Sequence, residues 1–103
     1  MSETKCEVEG NVLTADGDFS SDAATGFDRA CQELLSSPGR GHLIADLSGV
    51  ERVSSTYVGL LAELGLGARK AGRPLTIRAR PHLAALFREA GLHQAATIEE
   101  AHK

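Results

Sequence analysis

The sequence predicts an α/β protein: a sheet built on parallel crossovers, with helices packed against it. Three observations carry this. Runs of strand length alternate with longer stretches whose apolar residues recur at helical spacing, in the order β-β-α-β-α-β-α-β, and strands separated by helices pair in parallel. Glycine, proline, serine and asparagine mark nearly every boundary between these runs. At 103 residues and 42% hydrophobic content, the chain can build one core. Residues 1–103 are therefore expected to form a single domain that buries roughly 60–70% of its unfolded surface without staples.

Each element has its own signal. Cys6-Glu7-Val8 and Val12-Leu13-Thr14-Ala15 read as strands around a Gly10-Asn11 turn, which makes a hairpin. Asp16-Gly17-Asp18 reads as the end of the second strand. Ser20, Ser21 and Asp22 are N-cap types, and Ala23, Phe27, Ala30, Cys31, Leu34 and Leu35 then form the apolar stripe of a first helix. Ser36-Ser37-Pro38-Gly39 ends it. Residues 42–47 are an apolar run too short for a helix, hence an internal strand. It runs into Asp46 and a Ser48-Gly49 turn, with Val50 and Val53 as a short apolar pair beyond.

The second helix is expected over about 56–71, with Tyr57, Leu60, Leu61, Leu64, Ala68 and Ala71 on one face. Gly72 suits the position after its end, and Pro74 lies just beyond. Gly59, Gly65 and Gly67 fall inside it, each costing about 0.5–1 kcal/mol against Ala. That cost implies close approach of the sheet or of a partner protein. Leu75 to Ala79 alternates as a strand. Pro81 opens a third helix with Leu83, Leu86, Phe87 and Ala90 on its stripe, ended by Gly91. Residues 95–98 read as a last strand and 99–103 as a tail of one helical turn.

Composition narrows the function. Net charge is −3, which argues against nucleic acid and against an anionic membrane surface. Arg69, Lys70, Arg73, Arg78, Arg80 and Arg88 make the C-terminal half locally basic, whereas the first 33 residues are acidic. Of these, Arg69, Lys70, Arg73 and Arg78 read as a solvated face, and a protein partner of mixed charge suits the balance. One Tyr, three Phe and no Trp offer no stacking platform for bases. No apolar run reaches signal-peptide or membrane-spanning length, so no membrane insertion is expected. Cys6 and Cys31 form no CxxC and read as reduced thiols, which suggests a cytoplasmic protein and excludes a thioredoxin-like oxidoreductase.

The four histidines, His42, His82, His93 and His102, are scattered without metal-ligand spacing, so no metal is expected. Gly39-Arg40-Gly41 lacks the Lys-Ser/Thr of a P-loop. No nucleophile–base–acid set is visible. The chain therefore reads as a non-enzyme without a cofactor.

The functional signal lies between Leu43 and Gly72. Ser54, Ser55 and Thr56 fall where the second helix begins. Hydroxyls there can cap the helix. They can also form an acceptor site for phosphate, since the first N–H groups and the positive end of the helix dipole favour an anion. Asp46 reads as a strand-end residue that orders the following turn through its side chain. Tyr57, an aromatic beside three small hydroxyl residues, reads as an exposed interface anchor.

Asp46-Leu47-Ser48-Gly49-Val50, Val53-Ser54-Ser55-Thr56 and Gly59 together resemble the D-L-S-G-V-x-x-[IV]-D-S-[ST]-G-L-G stretch of the STAS domain, the fold of bacterial anti-sigma factor antagonists. Ala71-Gly72-Arg73-Pro74-Leu75 is similar to that family's A-G-x-x-L. Leu86 to Leu92, one residue longer, is similar to its L-x-x-x-G-L, and Gly17-Asp18-Phe19-Ser20 stands in the place of its G-E-L-D turn. The resemblance implies a STAS-type α/β fold, a mixed and mostly parallel sheet of four to five strands with three to four helices.

It also implies a regulatory module that binds an anti-sigma factor or a GHKL-type serine kinase, with a PP2C-type phosphatase as a further partner. Ser55 then falls at the phosphoacceptor position, with Thr56 and Ser54 as neighbouring options. Ser20, Asp46, Ser54, Ser55, Thr56, Tyr57 and Gly59 fall on the partner-binding surface. Ser54 and Ser20 stand where the family carries Asp, and Tyr57 where it carries Gly. Two alternatives stay open: a STAS scaffold or transporter-associated subunit without phosphorylation, and a nucleotide or small-ligand domain using the hydroxyl cluster and residues 17–20. Oligomeric state is open.

Overall fold

Gly10 and Asn11 close a two-residue hairpin between β1 (Lys5–Glu9) and β2 (Val12–Phe19), with Glu9 opposite Val12. Gly10 alone of the two has positive φ (61°), the pattern of a type II′ turn, whose twist suits the flanking strands. The structure is a computed structural model that describes residues 5–19, 25–39 and 41–101. Beyond the hairpin come α1 (Thr25–Leu35), β3 (Leu43–Val53), α2 (Ser55–Lys70), β4 (Leu75–Ala79), α3 (Pro81–Glu89), a 3₁₀ turn (Leu92–Gln94) and β5 (Thr97–Glu100). This is the predicted order of elements. The expected caps Ser20, Ser21 and Asp22 lie outside the described residues.

The five strands lie side by side in chain order, β1-β2-β3-β4-β5; the hairpin is antiparallel and the other pairs are parallel. Each crossover moves one strand along in the same direction. The right-handed rule for such connections therefore puts all three helices on one face. Burial agrees: Leu13, Ala15, Leu43, Ala45, Leu47, Leu75, Ile77, Ala79 and Ile98 are buried. Between them, Thr14, Asp46, Arg78 and Glu99 form a row in register on the bare face. Arg78 bridges that row, with Nε 2.8 Å from Glu99 and Nη1 3.9 Å from Asp46.

Two segments of turn-like composition prove to be strand. β2 continues through Asp16-Gly17-Asp18 and β3 through Ser48-Gly49, and the two pair with each other: Asp16 faces Gly49 and Gly17 faces Val50. The register slips there, and the buried set of β3 jumps three positions, from Leu47 to Val50, the mark of an inserted residue. Gly17 suits the slip, holding φ at 109°, and a Cβ on Gly49 would push the Asp16 carboxylate aside. The expected turn at Ser48-Gly49 is thus a bulged strand. The last strand is also shifted: 92–94 turn as 3₁₀, and Glu99 and Glu100 pair in β5 instead of forming a helical tail.

α2 ends in a Schellman arrangement: Gly72 (φ 69°) donates to Arg69 O and Arg73 N–H to Ala68 O. Two of its inner glycines are explained by packing. A Cβ on Gly65 would lie 2.9 Å from Ala95 Cβ, and one on Gly67 would lie 2.7 Å from Leu35 Cδ1. Arg73 corrects the expectation of a solvated cation. It is 5% exposed, donating from Nε to Gly41 O (2.9 Å) and from Nη1 to Ser37 O (2.8 Å) and Ser37 Oγ (3.1 Å). Its charge sits just beyond the C-terminus of α1, the negative end of that helix's dipole.

The centre of the core is mostly aliphatic, with Leu13, Leu34, Leu43, Leu47, Leu61, Leu64 and Ile77 at or below 1% exposure beside Phe19 and Phe87. Burying each such side chain contributes roughly 1.5–3 kcal/mol. Cys6 and Cys31 are free thiols. Burial first, with Asp28, Cys6 and Glu63 adding to it, pushes the Cys31 thiol up to about 12. Burial and then Asp16 raise that of Cys6.

Candidate functional site

β3 delivers the chain to the carboxyl edge of the sheet, and α2 starts there one residue later. Ser54 is the pivot. Its extended backbone (φ −86°, ψ 167°) suits an N-cap, its N–H donates to Phe19 O at 2.8 Å, and its carbonyl accepts from Tyr57 and Val58. The end of β2 is thereby tied to the start of α2. The Ser54 side chain makes no capping hydrogen bond to the helix. Ser55 and Thr56 are exposed and Ser54 is half-buried. The first turn carries no acidic residue, so these hydroxyls stand at the positive end of a 16-residue helix with no carboxylate on that turn.

Gly59 lies one turn beyond Ser55 on the same face and is exposed; a Cβ built on it meets nothing within 4 Å. It differs in this from Gly65 and Gly67. Tyr57 is not an exposed anchor. At 2% exposure it packs edge-on against Phe19 (4.8 Å between centroids) and Phe27 (5.3 Å), which are themselves 5.7 Å apart. The spacing 57, 61, 64, 68 puts it on the buried stripe of α2, and removing that ring from water outweighs any gain from showing it.

Asp46 orders the chain after it, accepting from Ser48 N–H at 3.0 Å. It lies eight residues of extended chain before Ser54, on the order of 25 Å, and on the bare face of the sheet. The structure thus gathers Ser54, Ser55, Thr56 and Gly59 and holds Asp46 apart from them. Ser20 lies outside the described residues.

The carboxyl ends of β2 and β3 and the start of α3 also bring together charges that the sequence named separately, such as Arg80 and His82, or not at all, such as Glu51 and Arg52. Arg52 pairs with Asp18 (3.1 Å). Arg80 pairs with Glu51 (3.1 Å) and donates from Nε to Ser48 O (3.0 Å), while His82 Nε2 donates to Glu51 O (2.7 Å). Asp18, Glu51, Arg52 and Arg80 border a shallow cleft with Gly17 and Gly49. The shared position of Asp18, Glu51 and Arg52 at the carboxyl ends of β2 and β3 was the available signal. Among the described residues, no group of three or more His, Cys, Asp and Glu could hold a metal ion, and no helix is long and apolar enough to cross a membrane.

Comparison with known proteins places this arrangement. No curated protein matches the chain. A crystal structure of an anti-sigma factor antagonist from Mycobacterium paratuberculosis has the same fold, with a TM-score of 0.75 at 20% identity over 96% of this chain and 86% of that one. The family described as "Mlab, STAS domain" matches residues 4–100, from the first strand through the last. Sheet order, helix placement and that match agree, and the chain belongs to the STAS domain family.

Proposed function

We propose that this chain is a regulatory protein-binding module that docks an anti-sigma factor or a GHKL-type serine kinase through the start of α2, with Ser55 as its switch. The observation that carries the reading is the exposure of Ser55 at the N-terminus of α2, beside a Ser54 side chain that makes no cap. Capping alone therefore does not account for the hydroxyl cluster. A phosphate on Ser55 adds a charge of about −1.5 to −2 at the contact surface, where repulsion and desolvation oppose docking. The same anion is tolerated by the domain itself, because it sits at the positive end of α2. The switch thus acts on the interface and leaves the fold intact. The module acts by binding and has no chemistry of its own; Thr56 and Ser54 are secondary acceptors, and a PP2C-type phosphatase completes the cycle.

Calorimetry with the GHKL-type kinase of the host tests this. Ser55→Ala retains binding and Ser55→Asp weakens it at least about tenfold, a difference of about 1.4 kcal/mol. Equal binding by Ser55→Asp and the unmodified chain removes the switch. A second reading, a constitutive scaffold or transporter-associated subunit, draws support from Ser54, which puts no carboxylate beside the acceptor. A phosphopeptide spanning 54–56, found by mass spectrometry of protein from its host, counts against that version.

A further inference from the structure

Among the described residues, two large apolar side chains are exposed: Leu66 at 54% and Leu86 at 39%. Leu66 borders a groove. Leu66 lines it from the C-terminal half of α2, with Ala62, Ala90, Leu92 and Ala95. Leu86 stands one helical turn before Ala90, on the same side of α3. Gly65 against Ala95 holds α2 tightly to the turn after α3, so the groove has a packed floor. Arg69 is the charged residue among those lining it, and it forms no ion pair among the described residues. On the opposite flank of α2 the lining is acidic, from Asp28 and Glu63.

We propose that this groove docks an amphipathic helix of a partner protein. Its apolar side chains, at i, i+3 and i+4 spacing, lie along Leu66, Ala62 and Leu92, and an Asp or Glu reaches Arg69. Charge decides the occupant. A guanidinium in an apolar groove without a counter-charge from its own chain favours a carboxylate, and the acidic flank turns the same ligand away from the α1 side. A second copy fits poorly. A two-fold contact of this groove with itself brings two copies of Arg69 and no carboxylate in the lining to meet them. The inference is independent of the Ser55 reading, since Leu66 lies eleven residues along α2 from Ser55, about 16 Å.

A displayed library of helical peptides, selected on the full chain, tests it. The expected peptides carry the apolar spacing and one fixed acidic position. By fluorescence anisotropy their affinity falls at least about tenfold with Leu66→Asp and with Arg69→Glu. Lys in place of the peptide's acid restores binding to Arg69→Glu. Both substitutions change exposed side chains, and circular dichroism confirms that the variants remain folded. Three results overturn the proposal: selection without this pattern; peptides indifferent to both substitutions; or a groove filled otherwise. The last reads as a concentration-dependent dimer, or as binding to phosphatidylglycerol vesicles, abolished by Leu66→Asp.

Discussion

Tyr57 shows how one side chain can satisfy two sequence patterns and obey the stronger. Its neighbours in the chain are small and polar, which suggested a surface. Its partners at 61, 64 and 68 are apolar, and that periodicity prevailed because α2 packs on the sheet along that stripe. The phenyl rings of Phe19 and Phe27 come from β2 and α1, so the triad joins three elements. Tyr57→Ala is expected to cost about 3–5 kcal/mol in urea unfolding, through the cavity and the lost edge-to-face contacts. A loss below 1 kcal/mol would place the ring outside the core. Ser55 was legible as a residue at the helix start, because three hydroxyls after a strand mark such a start. The failure of the Ser54 side chain to cap was not, since it depends on a rotamer that the sequence does not fix.

At the level of elements, α2 separates internal from external demands. Gly65 and Gly67 are where Ala95 and Leu35 press against the helix; Gly59 faces open space. Gly59→Ala is therefore expected to raise stability by about 0.5–1 kcal/mol, since the added methyl meets nothing and helix propensity improves. Gly65→Ala is expected to lower it, because the Ala95 backbone and Cβ must move. Thermal melts of the two variants should shift in opposite directions. The three glycines suggested close approach of the sheet or of a partner; Gly65 and Gly67 instead meet Ala95 and the end of α1. The paired bulge of β2 and β3 was hidden for a related reason. Asp-Gly-Asp and Ser-Gly are turn-formers locally, and only their mutual pairing across the sheet keeps both extended.

Over the whole molecule, element order and fold class were legible because periodicity and turn residues recur along the entire chain. Sheet face was accessible only indirectly, through the handedness of crossovers. One consequence of the buried side of that sheet is measurable at high pH. The Cys31 thiol lies at about 12 folded against an ordinary 9.0. Below pH 9 it is neutral in both states and its contribution is complete. Between about pH 9 and 12 the unfolded chain loses this proton while the folded chain keeps it, so stability falls with rising pH, by up to about 1.4 kcal/mol per unit. Urea unfolding of Cys31→Ala should show a shallower alkaline decline than the unmodified chain. Identical slopes would mean that the thiol ionises as easily folded as unfolded.

Because sheet position follows chain position from one edge to the other, no strand has to wedge between two already joined. A ribosome releasing this polypeptide from its N-terminus exposes, at every stage, a finished edge onto which the next segment can lock. Assembly can keep pace with synthesis, and each half-made product leaves a single unfinished border to be guarded against strangers.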